Sequence, residues 1–533
     1  MTSPTATTGP TADDAPLNLP VRPGPARFFV MFAVFVCASC GMVYELALVA
    51  LGSYLLGDTI VQASIVLSVM VFAMGVGSLL AKRLTSHAAL SFAVIEAALG
   101  VIGGLSILLL YLAFAYINMY TTAMVLLAFV IGALIGAEIP LLMELIQRIR
   151  AQRASTAVAD LFAADYVGGL IGGLAFPFLL LPLLGLPRGV LAVGMINATT
   201  GIVIVLWLFR RRLNRRLRAG LAAGLAVILA LLTFAWIYTD AIEITSRQRI
   251  YRDPIVTAER SQYQDIVVTR HPRTQDTRLF LNGDLQFASN DEYRYHETLV
   301  HPALNGSRDR VLVLGGGDGM AIREVLRYPD VEQVTLVDLD PAVVELARTD
   351  EHFTEFNDSA FDDPRVEYVP ADAFTWLREE NSEAYDVVIA DLPDPDDVGT
   401  SKLYSIEFYG LVDRAMKPDA RLVVQAGSPY FAPEAYWGIG ESVARAGFRT
   451  TPYHVDVPSF GDWGYFLAAK GEAPAVELPA AAPADLRFAT PEVLAAALVF
   501  PPDRDRDSVG EVEPSSLLHP RVIDQQRGAW VGY

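Results

Sequence analysis

The stretch YDVVIADLPDPDD, residues 385–397, passes from an apolar run (Val387, Val388, Ile389) into four aspartates, Asp391, Asp394, Asp396 and Asp397. Carboxylates this close repel one another and raise at least one pKa unless a cation sits among them. A carboxylate that both holds an ammonium group and accepts its proton is a general base. Asp391 and Asp394, nearest the apolar run, are the candidates for that chemistry. Asp396 and Asp397, farther along the loop, read as a solvated face. Upstream, the turn GGGDG (315–319) follows the apolar VLVL and precedes the helical pattern AIREVLRY. The Gly315–Gly316–Gly317–Asp318–Gly319 turn lets backbone come close to a ligand and adopt positive φ. Asp338 lies in VTLVDLD (334–340), 21 residues beyond Gly317, where an acid can accept hydrogen bonds from both hydroxyls of a ribose; helix capping is its competing role. The turn carries no Walker lysine, which argues against a triphosphate, and Asp318 within it repels phosphate and attracts an amine. Asp372–Ala373 ends the next strand, placed either to meet a purine amino group or to cap the helix AFTWLRE.

The elements that must hold these residues alternate. VLVL, VTLVDLD, RVEYVPAD, YDVVIADL and RLVVQAG read as strands, with AIREVLRY and PAVVELART as helices between them. Such alternation predicts a mainly parallel sheet covered on both faces, with ligands beyond the carboxyl ends of the strands. Four of the five strand ends deliver Gly315, Asp338, Asp372 and Asp391. Ahead of this region, QDIVVTR (264–270) and TRLFLNGDLQF (277–287) predict strands, the second bent into a hairpin at Asn282–Gly283. A helix is expected over 290–304.

The first 240 residues differ in kind. They hold 14 Lys/Arg and 10 Asp/Glu, against 27 and 50 in the remainder of the 533-residue chain. Seven apolar stretches, near 28–51, 60–81, 89–113, 120–142, 161–184, 190–209 and 219–238, approach the roughly 20 residues that cross a bilayer. Residues 1–26, rich in Thr, Ala and Pro, predict a disordered tail. Basic residues fall in alternate loops: Lys82 and Arg83; Arg148, Arg150 and Arg153; and the Arg210–Arg218 run. The positive-inside rule puts those loops in the cytoplasm, so seven crossings set the C-terminal part on the opposite side. Glu45, Glu96, Glu138, Glu144, Asp160 and Asp165 lie in or beside the spans. Glu96 and Glu138 are the stronger candidates for a cation path or polyamine site, while the others suit interfaces or pairing with loop arginines. GGLIGG (168–173) favours close helix packing. Cys37 and Cys40 read as buried small residues, since C-x-x-C needs further ligands to close a zinc shell. The acidity of the C-terminal part argues against nucleic acid and suits a cationic substrate.

YQDIVV, LFLNGDLQF, DEYRYHE, VLVLGGGDG, VTLVDLD and DLPDPDD followed by LYSIEFY occur in this order over residues 250–470, and this part of the chain resembles the polyamine aminopropyltransferases, the spermidine synthases. The N-terminal part is similar to the multi-spanning segment that some bacterial members carry. The resemblance implies an N-terminal transmembrane helical bundle of about seven spans and a C-terminal α/β Rossmann-like, class I methyltransferase-like domain behind a small β-hairpin domain. The implied boundaries are a tail at 1–26, a transmembrane domain at 27–240, the small β domain and linker helix at 241–305, the catalytic domain at 306–470 and an extension at 471–533. It implies a multi-pass protein of the cell membrane, embedded in the lipid bilayer, that transfers the aminopropyl group of decarboxylated S-adenosylmethionine to putrescine, giving spermidine and 5′-methylthioadenosine. The nucleoside is a co-substrate; no tightly bound cofactor and no metal are expected. A cytoplasmic origin for that nucleoside conflicts with seven crossings. Carried over by position, Asp391 is the proton acceptor, and Asp394 holds the diamine with Tyr263 and His296 nearby. Asp318 meets the aminopropyl ammonium, and Gln264, Asp338, Asp372 and Ala373 line the methylthioadenosine. Asp291 faces the amine as well, and homo-oligomers are common. Departures are Asp338 for Glu, Asp372–Ala373 for Asp-Gly, DPDDVGTSK for DPxGP, and Phe460 for a tyrosine. Transfer to another amine, methyl transfer, and a non-catalytic polyamine transporter or sensor are the alternatives.

Overall fold

The computed structural model describes residues 22–56, 59–117, 119–149, 154–211, 213–379, 384–395 and 398–527. Arg150, Arg153, Arg212, Asp396, Asp397 and most of the 1–26 segment therefore lie outside the described residues. The chain divides into two compact units, Met1–Arg252 and Asp253–Tyr533.

The first unit is helical: α1 (Pro23–Leu56), α2 (Thr59–Ala81), α3 (Ala88–Leu112), α4 (Tyr120–Ile149), α5 (Ala154–Ala175), α6 (Leu181–Leu208) and α7 (Arg215–Ile250). Among the described residues, six helical stretches are long and apolar enough to cross a membrane, where the sequence suggests about seven segments. The difference lies in Val158–Leu208, a single stretch of 51 residues. As one rod it would span about 77 Å, more than twice a hydrocarbon core of about 30 Å. It is broken at Gly185 (φ 70°, ψ 172°). The packing shows a reversal there. A Cβ on Gly168 would come 2.3 Å from the Phe35 carbonyl oxygen and one on Gly172 2.3 Å from that of Ser39, so α5 runs parallel to α1. Gly103 abuts Tyr44 while Cys37 meets Glu96, so α3 is also parallel to α1. Gly100 abuts Ala198 and Gly201 abuts Glu96, so α6 runs the other way. These backbone approaches need glycine, whose missing side chain lets two helices meet closely. Asp160 pairs with Arg27 of α1.

The second unit opens with a four-stranded antiparallel sheet, β1 (Ile255–Arg260), β2 (Asp265–Arg270), β3 (Thr277–Leu281) and β4 (Asp284–Ala288). Asn282 (φ 53°) and Gly283 (φ 96°) turn β3 into β4, both central residues at positive φ as a two-residue hairpin requires. Where the sequence suggests a hairpin behind a plain connection, β1 adds an edge strand paired with β2. Next come α8 (Glu292–Val300), β5 (Arg310–Gly315), α9 (Met320–Leu326), β6 (Gln333–Asp338), α10 (Pro341–Thr349), α11 (Glu351–Phe356), β7 (Val366–Pro370), α12 (Ala373–Glu379), β8 (Tyr385–Asp391), β9 (Met416–Gln425), β10 (Arg449–Val457) and β11 (Gly461–Ala469). The large sheet has the order β10-β11-β9-β8-β5-β6-β7. β5 to β9 are parallel, and β11 runs against both β9 and β10. Two apolar clusters, one on each face, bury the parallel strands: Leu312, Val388 and Leu422 look to one side and Val311, Val313, Ile389 and Val423 to the other. Residues of the 471–533 extension join these cores through Val476, Leu494 and Val522. Glu297 fastens the extension by accepting the backbone N–H groups of Arg487, Phe488 and Ala489 at 2.8–2.9 Å.

Candidate active site

β5 has its successor β6 on one side and β8 on the other, so the strand order reverses between β5 and β8. Open α/β sheets receive ligands in the crevice at such a reversal. Gly315 and Asp391 face each other across it in register. Gly315 (φ 76°) and Gly316 (φ 69°) take left-handed conformations, and a Cβ on Gly315 would lie 2.1 Å from the Asp391 carbonyl oxygen. The glycines thus bring the 315–319 turn directly over the end of β8.

Asp391 is partly accessible, and the phenol of Tyr295 donates to its Oδ1 at 2.5 Å. Burial pushes its pKa up to about 6, His296 pulls it back, and Asp318 pushes it further up. His296 is buried with Nδ1 2.9 Å from the Glu292 carbonyl oxygen and 3.0 Å from Glu292 Oε2. Both are acceptors, so Nδ1 carries a proton. Burial alone would lower the His296 pKa, but the Glu292 bond and the charges of Asp318 and Asp391 outweigh it and the net shift is upward. Arg323 holds both oxygens of Glu292, sharing Oε2 with His296 at 2.9 Å and reaching Oε1 at 3.2 Å. The chain of contacts Arg323–Glu292–His296 therefore delivers a positive edge to a pair of aspartates that otherwise repel. Asp318 Oδ1 accepts the Met320 N–H at 2.9 Å, which orients it at the start of α9.

On the neighbouring strand end, Asp338 accepts the Gly317 N–H on Oδ2 (3.1 Å) and the Asp340 N–H on Oδ1 (3.0 Å). Burial raises its pKa to about 6 despite these bonds. Each oxygen keeps a lone pair for a further donor such as a ribose hydroxyl. A Cβ on Gly317 would sit 2.8 Å from Oδ2. Gln264 is tied in through Nε2, which donates to Asp340 Oδ2 at 2.9 Å, and Ser261 shares that oxygen at 2.6 Å. Tyr263, beside it, is 46 % exposed.

Asp372 is already engaged. Its Oδ1 accepts the backbone and hydroxyl of Thr375 at 2.9 and 2.8 Å, and Oδ2 pairs with Lys402 at 2.7 Å. Burial works against its charge, but Lys402 and Thr375 hold its pKa below the ordinary value. This is the capping role, with Ala373 buried as the first residue of α12. Asp291 likewise accepts from the backbone and hydroxyl of Ser459 at 2.7 and 2.8 Å, joining the start of α8 to the β10–β11 turn.

Two residues that the motif reading did not assign complete the rim. Tyr295, one turn from Asp291 on α8, packs against Phe460, Trp463 and Tyr465 and aims its phenol at Asp391. Gln425 ends β9, the fifth parallel strand; its Nε2 donates to Tyr404 at 2.7 Å and reaches Asp394 at 3.5 Å. Tyr404 in turn donates to the Pro393 carbonyl at 2.9 Å, holding the loop that carries Asp394. The strand-end rule that picks Asp391 would have picked Gln425. Nothing in sequence marks Tyr295 beyond its place in DEYRYHE.

Residues 292–479 match the Spermine/spermidine synthase domain. The chain is 54 % identical over 512 residues to polyamine aminopropyltransferase 1 of Streptomyces coelicolor, covering 95 % of this chain and 96 % of that protein. It is 46 % identical over 514 residues to a polyamine aminopropyltransferase of Mycobacterium tuberculosis, covering 95 % and 97 %. A crystal structure of spermidine synthase in complex with the transition state analogue AdoDATO aligns with a TM-score of 0.43 and 28 % identity over 46 % of this chain and 85 % of that one. With relatives matched along nearly their whole length, the chain belongs to the polyamine aminopropyltransferase family of enzymes.

Proposed function

We propose that this chain transfers the aminopropyl group of decarboxylated S-adenosylmethionine to putrescine, with Asp391 as general base. The observation that carries the reading is Asp391 itself: a partly accessible carboxylate at the point where the sheet reverses, poised near pH 6 between Asp318 and His296. One ammonium of putrescine settles against Asp391, and Asp394 with Tyr263 steadies the diamine. Asp391 removes one proton, leaving a neutral amine. Its lone pair attacks the aminopropyl methylene beside the sulfonium, the C–S bond breaks, and the pair stays on sulfur as the thioether of 5′-methylthioadenosine. The attacking nitrogen keeps both of its hydrogens and takes over the positive charge that sulfur loses, so the product forms as a secondary ammonium and charge and atoms balance.

Asp318 neutralises the aminopropyl ammonium. Asp338, with Gly315, Gly317 and Gln264, lines the ribose side. Asp372 and Ala373 border the purine, whose amino group competes with Lys402 for Asp372 Oδ2. An acid-lined pocket favours a co-substrate without a carboxylate and repels intact S-adenosylmethionine, which sets this reading above methyl transfer. The six long apolar helical stretches support a cell-membrane anchor. Product analysis by mass spectrometry, with putrescine and each sulfonium donor in turn, tests the assignment. Spermidine formed only from the decarboxylated donor supports it; a methylated amine from the intact donor overturns it.

A further inference from the structure

The N-terminal unit holds a polar cluster that aminopropyl transfer does not use. Cys37 on α1, Glu96 on α3 and Glu138 on α4 are all buried, and one donor atom of each lies within 4.8 Å of the others. Glu96 is 0 % exposed, and neither of its carboxylate oxygens has a partner at hydrogen-bond geometry; nor does Glu138 Oε1. No cationic side chain acts on either carboxylate among the described residues. Asn197 on α6, also 0 % exposed, lies against the Glu96 carboxylate and is an independent pointer. Its Nδ2 reaches the Glu96 carbonyl at 3.4 Å while Oδ1 has no partner. Three helices thus converge unmatched acceptors on one enclosed spot, with Asn197 of a fourth against it. Leaving such acceptors empty in an apolar bundle is costly.

We propose that Cys37, Glu96 and Glu138, with Asn197 beside them, form a site for a divalent metal ion of the zinc class. The donor set decides the class. Magnesium and calcium select oxygen cages of six or more ligands, whereas a thiolate selects zinc-like ions. Zinc is held by four donors at about 2.0–2.3 Å; the thiolate and two carboxylates supply three side chains, and a second carboxylate oxygen can complete the four. An alkylammonium is the poorer fit, because a thiol offers it little and Gly201 closes one side: a Cβ there would lie 2.3 Å from Glu96. Cys37 ligates as the thiolate, so uptake releases its proton. Two carboxylates and a thiolate then meet two positive charges. This site stands independently of the aminopropyl reading.

Full-length protein in detergent, stripped with a chelator and reloaded with Zn²⁺ or Co²⁺, tests it. Stoichiometric metal that survives gel filtration, proton release on loading, and a thiolate-to-cobalt charge-transfer band are expected. Cys37→Ser should abolish the band, and Glu138→Gln should weaken binding by more than the roughly 10- to 100-fold that loss of an outer-shell partner costs. Cys40→Ser should retain both, since the Cys40 thiol instead approaches the Val193 carbonyl at 3.8 Å. Elution profile and unfolding midpoint without metal confirm that each variant folds. The wild-type spectrum decides even where a variant does not fold: absence of a thiolate band overturns the site. So does an infrared signature of a carboxylic acid, unchanged by added metal, which would assign the cluster to a proton shared by Glu96 and Glu138.

Discussion

Replacing Asp391 by asparagine keeps shape and the acceptor for Tyr295 but removes the ability to take a proton. General-base catalysis contributes about 10²- to 10⁴-fold, so kcat/KM for putrescine should fall by at least ~10². Stability should move the other way. The folded-state pKa of Asp391 is raised from 3.8 to about 6 by burial and by Asp318. Its contribution to folding is therefore fully present below pH 3.8 and is lost as pH rises through about 6, leaving the ionised group a net cost at neutral pH. Two pKa units correspond to roughly 3 kcal/mol. Partial exposure and solvent screening reduce this to about 1–2 kcal/mol, or a few degrees in Tm for a unit of this size. Steady-state kinetics across pH, with thermal unfolding of the same preparations, measures both. The wild-type kcat/KM should rise through an acid limb near pH 6, and the variant should lose that limb. A variant that keeps its activity within about threefold of wild type, or loses it only together with stability, refutes the reasoning.

Tyr295→Phe deletes a hydrogen bond that favours ionised Asp391, so the acid limb should move to higher pH by ~0.5–1 unit, with a larger loss at pH 6 than at pH 8, read from the same pH profiles. Asp338→Ala should raise KM for the nucleoside co-substrate by ~10- to 100-fold, the worth of hydrogen bonds to a charged group, while leaving the putrescine KM nearly unchanged. Gly317→Ala, which drives a Cβ to 2.8 Å from Asp338 Oδ2, should act in the same direction; equal effects on both KM values would place Asp338 elsewhere in the mechanism. Glu324 is buried against His301, Arg323 and Arg327, which hold its pKa down at about 2 against the cost of burial. Its contribution is present above pH 4.5 and fades as pH falls through about 2. Glu324→Gln should cost ~3–5 kcal/mol in denaturant unfolding at pH 7, as breaking a buried ion cluster does.

The parallel strands were legible because both faces are covered, so VLVL and YDVVIADL read as unbroken apolar runs ending in polar turns. The positions of Gly315, Asp338 and Asp391 follow directly from that. β1 was not legible: Ile255–Arg260 is exposed along most of its length and borders β2 only. β10 and β11 were hidden by Pro452, Thr450 and Thr451 in one strand and Gly464 in the other, and their pairing is settled by contacts with β9. The role of Tyr295 depends on α8 lying across the end of β8, a tertiary fact with no local signature. Asp372 shows the limit of residue type: an aspartate before a helix can cap it or bind a ligand, and here Thr375 and Lys402 take both oxygens. In the helical unit, apolar length marks the segments, but only the glycine contacts reveal that α5 and α6 run in opposite directions.

The most direct measurement is a structure of the full-length chain with putrescine and 5′-methylthioadenosine bound together. One putrescine nitrogen should lie about 2.6–3.2 Å from an Asp391 carboxylate oxygen, facing the thioether sulfur, with the other end toward Asp394. A diamine seated elsewhere, with no nitrogen in reach of Asp391, would contradict the account.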